Sequence, residues 1–283
     1  MLGNSLMIYV IWREESLHSP MYVLMSALCT VHICNLTTII PRMLLGLIFN
    51  LNLISLPACL IQMFIIYCGV TLESSILVVM ALDRYVAICK PLRYADIMNK
   101  TLLTQLALAA LVRGGCIVFP IVFLACQVWF CRSNVIWHFA CENMALLLLA
   151  CSDISKSNIV GILLRTLVVL VDISLILVSY VQILHAAMKI SSGSILHKAL
   201  HTCGTQLLII FLGYFCSLVS SVVYRAGKSV SQDVHNLFSA VYFILPATVD
   251  PIIYGLRVKE IRQCIKKLLR RSMITNASFK ISQ

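Results

Sequence analysis

An aspartate and an arginine stand side by side at Asp83-Arg84, followed by Tyr85, where a long apolar stretch gives way to polar sequence. An adjacent acid and base at such a boundary can close on each other in one state and part in another, a charge switch. The plainer use of the pair is to fix the boundary itself. Five more ionisable residues, Glu73, Arg113, Arg165, Asp172 and Asp250, lie inside apolar stretches. Charges at that depth are costly and face a helix-bundle interior or a wet cavity, although Arg165 stands near enough to one end to snorkel outward. No nucleophile has a base and an orienting group within a recognisable spacing, so no enzyme and no cofactor are indicated. The cysteines lack the close pairs of zinc sites, so no metal site is expected.

The elements that carry these residues follow from composition. Of 283 residues, 60% are hydrophobic and 12% charged, with a mean hydropathy of +0.96. A soluble domain carries about 25% charged residues, so a water-soluble domain, a disordered chain and a nucleic-acid binder are excluded. Crossing a bilayer takes ~20 apolar residues. Six runs qualify: Met21–Phe49, Ile54–Leu82, Thr101–Cys126, Ile159–His185, Ala199–Tyr224 and Val234–Leu256. A seventh, Met1–Trp12, gives only about 18 Å of helix, and is read as the second half of a span whose first half is missing. The expected architecture is an all-α membrane protein, a seven-helix bundle with an incomplete first helix and a short amphipathic cytoplasmic helix after the seventh.

Orientation follows from the loops. One side collects fifteen Lys and Arg, eight of them from Arg257 onward, against four on the other with Arg42 at the border. The positive-inside rule places the C-terminus in the cytoplasm, the N-terminus outside, and the basic tail against anionic lipid. Residues 1–271 form the membrane domain and 272–283 a cytoplasmic tail. Four cysteines then face the oxidising exterior, Cys59, Cys131, Cys141 and Cys151, a set that permits three pairings.

The string Met80-Ala81-Leu82-Asp83-Arg84-Tyr85-Val86-Ala87-Ile88-Cys89 is far more specific than its three-residue core. It resembles the signature of vertebrate odorant receptors, a branch of the rhodopsin-like G-protein-coupled receptors. Other matches come in the same order: Gly3-Asn4, Leu17-His18-Ser19-Pro20-Met21-Tyr22, Ser179-Tyr180, Lys198-Ala199-Leu200-His201-Thr202-Cys203, Pro246, and Asp250-Pro251-Ile252-Ile253-Tyr254-Gly255. Glu73-Ser74 and Arg113-Gly114 resemble the class I, fish-type branch.

The resemblance implies a multi-pass plasma-membrane receptor that binds a small odorant, acidic ones among them, within the bundle and activates a stimulatory heterotrimeric G-protein to raise cyclic AMP. It implies disulfides Cys59–Cys141 and Cys131–Cys151. Asp83, Arg84, Tyr85, Tyr180, Lys198, Thr202, Cys203, Asp250, Pro251 and Tyr254 would form the activation switch and the G-protein-coupling end. For the ligand, helical spacing puts Tyr67, Val70 and Thr71 on one face of the third span. Tyr214 matches the family's pivot aromatic, and Arg225, at the outer end of the sixth span, suits a carboxylate.

Three features depart from the pattern. His32 and Asp250 stand where seven-span receptors commonly hold sodium with an acid and an asparagine, so a buried His–Asp link is expected in place of the ion. Gln206 stands where many relatives carry histidine. An outer N-terminal sequon is not found ahead of the first span, so a truncated receptor or pseudogene product that does not signal is the alternative reading, with a channel or transporter more remote.

Overall fold

The computed structural model describes residues 1–49, 53–131, 135–136, 138–188, 203–204, 207–216 and 232–268. Besides the one-turn helices Tyr94–Ile97 and Asn143–Leu147, the described residues form, in chain order, α1 (Leu2–Arg13), α2 (Pro20–Phe49), α3 (Leu56–Cys89), α4 (Lys100–Cys126), α5 (Ser155–Met188), α6 (Leu207–Cys216), α7 (Gln232–Arg257) and α8 (259–268). Among the described residues, five of these helices are long and apolar enough to cross a membrane. No strand forms among them, only an isolated antiparallel bridge between Phe130 and Ala150 in the outer loop.

Local chemistry sets the helix starts. The Ser55 hydroxyl accepts from the Ala58 amide ahead of α3, and Asn99 accepts from the Leu102 amide at 2.8 Å ahead of α4. Both are N-caps that satisfy an amide the first turn leaves without a partner. Before α5, Asp153 takes the Ser155 amide and hydroxyl, and these two bonds hold its carboxyl below the usual range. Helix α3 runs to Cys89, beyond the hydropathy boundary at Leu82. Hydropathy stops at the first charge, whereas backbone hydrogen bonds do not, so Asp83-Arg84-Tyr85 is the end of the helix itself.

Helix α3 is the central post. Half of its apolar window, 50%, is buried, against 11% for α5, whose exposed leucines and valines suit lipid. The main core fills the half of the bundle that holds the end of α3 and α8, where Met7 and Val10 of α1, Met25 and Leu28 of α2, Met80 of α3 and Tyr254 of α7 meet. Close approach of α2 and α3 depends on Gly69, because a Cβ there would lie 2.0 Å from Asn35 Oδ1. Helix α8 turns Ile261, Cys264, Ile265 and Leu268 inward at helical spacing. Lys267 on its polar side reaches Glu14 in the first inner connection at 3.7 Å.

Candidate functional site

A cavity of about 210 Å³ opens among α3, α4, α5, α6 and α7 under the long outer loop. Tyr67, Val70, Thr71 and Ser74 line it from α3, at the i, i+3, i+4, i+7 spacing of one helix face. Val118 and Ile121 face it from α4, Arg165 and Val168 from α5, Tyr214 from α6, and Tyr242 and Phe243 from α7. The wall is mostly apolar, with polar groups gathered at its outer rim and its foot.

The roof is pinned to α3. Cys59 is bonded to Cys141, with Cα atoms 5.3 Å apart, and Cys131 to Cys151 at 5.8 Å. Gln62 accepts from the Cys141 amide at 3.1 Å and donates to the Thr38 carbonyl at 2.9 Å, tying the loop to α2 as well. The Tyr67 hydroxyl donates to Glu142 Oε1 and accepts from the Asn143 amide, both at 3.1 Å. Glu142 Oε2 caps the one-turn helix Asn143–Leu147 by accepting from Ala145. Glu142 is therefore a structural acceptor rather than a loose rim charge.

Three buried polar atoms of lining residues have no hydrogen-bond partner: Asn35 Oδ1, Asn143 Oδ1 and Ser157 Oγ. Buried polar atoms in native proteins are nearly always partnered, so atoms of this kind along a cavity call for a ligand or water. Arg165 sits half-buried at the cavity, its guanidinium 6.0 Å from the Tyr242 ring. The arginine turns to the cavity and an aromatic face. Arg225, the cation expected from sequence, lies outside the described residues, as do Lys198 and Thr202.

At the foot, Tyr214 joins a network of four helices. Its hydroxyl donates to Asp172 Oδ2 at 3.1 Å, and Arg113 donates to Asp172 Oδ1 at 2.6 Å and to Ser75 Oγ at 3.0 Å. Asp172 is 1% exposed. A carboxylate so buried persists only with charge and hydrogen bonds around it, and here both are supplied. On another side of α3, Glu73 lines the cavity and approaches His32, which also faces Asp250.

At the C-terminal end of α3 Asp83 accepts from the Tyr94 hydroxyl at 2.7 Å. Burial first, and that bond second, hold the Tyr94 phenol above its ordinary range, so it remains a donor at neutral pH. The acid of the Asp83-Arg84 pair is thus engaged by the neighbouring loop. Arg84 Nη2 and the Tyr180 hydroxyl are buried without a hydrogen-bond partner. Cys203 and Tyr254 are buried in the same core, with Tyr85 packed against it, and Pro251 interrupts α7 just after Asp250.

This arrangement is a rhodopsin-like seven-helix fold. The chain superposes on the crystal structure of squid rhodopsin with a TM-score of 0.73 over 96% of this chain and 81% of that one, at 15% identity. The sequence model of the olfactory receptor family matches residues 1–272. The human Olfactory receptor 52K1 is 37% identical over 271 residues, covering 96% of this chain and 86% of that protein. Human Olfactory receptor 52B2 is 38% identical, covering 93% and 81%. The chain belongs to the olfactory receptor family, whose members are multi-pass membrane receptors and not enzymes.

Sequence reasoning did not find Glu142, Asn143 or Tyr242, because loop residues have no periodicity and a membrane tyrosine usually packs. Nor did it join Arg113 to Asp172. Two opposite charges inside apolar runs were the available signal, but nothing in the spacing says which charges meet.

Proposed function

We propose that the chain is an odorant receptor that takes a small odorant into the cavity and activates a stimulatory G-protein, raising cyclic AMP, with its N-terminus outside and its C-terminus in the cytoplasm. The observation that carries this reading is a cavity roofed by a pinned loop and floored by Tyr214, which also belongs to the network holding α6 to α5 through Asp172. A ligand shifts a receptor only by binding one arrangement better than another. Tyr214 touches both the cavity and the tie, so ligand contact with it biases the position of α6. Tyr67, Val70 and Thr71 shape the opposite wall. Asp83, Arg84, Tyr85, Tyr180, Lys198, Thr202, Cys203, Pro251 and Tyr254 serve the coupling end.

Acidic odorants suit the rim, where Arg165 supplies a guanidinium group for a carboxylate; Arg225, which the sequence puts at the outer end of the sixth span, is the second guanidinium of this reading. The test is a cyclic-AMP assay in cells displaying the receptor, with a panel of carboxylates and their methyl esters. Arg165→Leu should raise the half-maximal concentration of carboxylates about tenfold or more, as for a lost charged hydrogen bond, and leave esters little changed. Equal losses for acids and esters would overturn the anchor role. Arg84→Ala should abolish signalling at preserved surface level, and undiminished signalling would remove it from the switch.

A further inference from the structure

His32, Glu73 and Asp250, from α2, α3 and α7, bring one ligand atom each to within 4.8 Å of one another. His32 is 1% and Asp250 2% exposed, and the Glu73 side chain is 18% exposed towards the odorant cavity. A sodium ion does not fit this donor set, because hard cations take oxygen ligands and the α2 position offers an imidazole nitrogen. We propose that the cluster is instead a site for a divalent metal of the zinc type, held by His32 Nε2 and the Glu73 and Asp250 carboxylates.

The distances are compatible with coordination. His32 Nε2 lies 3.5 Å from Glu73 Oε1 and 3.8 Å from Asp250 Oδ2, longer than a 2.7–3.2 Å hydrogen bond. Two ligands at about 2.1 Å from a tetrahedral zinc lie about 3.4 Å apart, close to these separations. His32 Nε2 and Asp250 Oδ1 are buried and have no hydrogen-bond partner.

The imidazole is also oriented for a metal. Asn4 donates through Nδ2 to the Ala247 carbonyl at 2.8 Å, which leaves its Oδ1 facing His32 Nδ1 at 3.4 Å. That oxygen can only accept, so Nδ1 carries a proton towards it, and an Nε2 that gives up its own proton presents a lone pair to the carboxylates. Metal-bound histidines characteristically donate their other nitrogen to such an acceptor. Charge agrees: the buried Asp250 and half-buried Glu73 carboxylates face one point, and a divalent ion there would neutralise both. Glu73 belongs to both sites, so the ion reaches the cluster through the odorant cavity.

The test uses the full chain purified in lipid nanodiscs and stripped with a chelator. Micromolar Zn2+ should raise its thermal unfolding temperature where millimolar Na+ and Mg2+ do not. His32→Ala should lose the zinc shift, and Asn4→Ala should weaken zinc 10–100-fold, the range for loss of a metal ligand's hydrogen-bond partner. Zinc X-ray absorption of the wild-type chain should show one imidazole and otherwise oxygen ligands, a readout that needs no variant to fold. Glu73→Gln provides a second ligand variant. No zinc shift in the wild type, a shift unchanged in His32→Ala or Glu73→Gln, or sulfur in the zinc shell would each overturn the site. None of these outcomes depends on odorant response.

Discussion

On one flank of α3, Ser75 meets Arg113, and Arg113 and Tyr214 meet Asp172; roughly 200° around the same helix, Glu73 meets His32 and Asp250. Both clusters are buried, both mix an acid with a nitrogen base, and both join three or more helices. The first is closed, with bonds of 2.6–3.1 Å for both carboxylate oxygens of Asp172. The second is open, with separations of 3.5 and 3.8 Å and atoms that lack hydrogen-bond partners. A closed network gains its strength by satisfying every member, whereas an open one is stable only if something else enters it. Burial of charge alone therefore does not distinguish a structural tie from a binding site, but the completeness of its hydrogen bonds does.

The largest effect is expected on the closed flank. Asp172→Asn keeps the shape and removes the charge, leaving Arg113 uncompensated at a cost of about 3–5 kcal/mol. Thermal unfolding in nanodiscs and surface staining should both fall sharply, and a wild-type melting point would show that the pair contributes nothing net.

Gly69→Ala acts on the open flank. Its Cβ would force Asn35 aside and push α2 from α3, one helical turn from both Glu73 and His32. Overpacking of this kind costs about 1–3 kcal/mol. The double variant Asn35→Ala/Gly69→Ala should recover most of that loss, because the two positions share one space. Additive losses would mean that the close approach is not what Gly69 supplies. The smallest effect belongs to Tyr214→Phe, which removes one interhelical hydrogen bond, worth about 1 kcal/mol in membranes, while Arg113 still holds Asp172. Stability should barely change and ligand-independent cyclic AMP should rise; an unchanged basal level would free α6 from this tie.

Much of the fold was legible in the amino-acid order. Apolar runs long enough to span a bilayer had to be helical, since only internal hydrogen bonding satisfies the backbone in lipid. The short amphipathic helix expected after the seventh span is α8, which turns Ile261, Cys264, Ile265 and Leu268 inward. Of the cavity residues, Tyr67, Val70 and Thr71 were accessible because they share a single helix face, which needs only local geometry. Arg165 was ambiguous, since its long side chain suits lipid headgroups and a cavity equally. His32 invited a link to Asp250, but Glu73 entered that cluster only when α3 was seen beside α2 and α7.

Length, hydropathy and motif order are properties of segments, and they determined by themselves the class of the protein, its helices and its family. Which polar groups meet was decided only by the tertiary structure, because a helix may turn about its axis without changing its hydropathy. Rotation is set by contacts between distant parts of the chain: Asn4 bonding to Ala247, Gly69 admitting Asn35, and Asp172 drawing in Arg113 and Tyr214. Those contacts sum small packing and hydrogen-bond energies over several helices at once, and no single run of residues carries that sum.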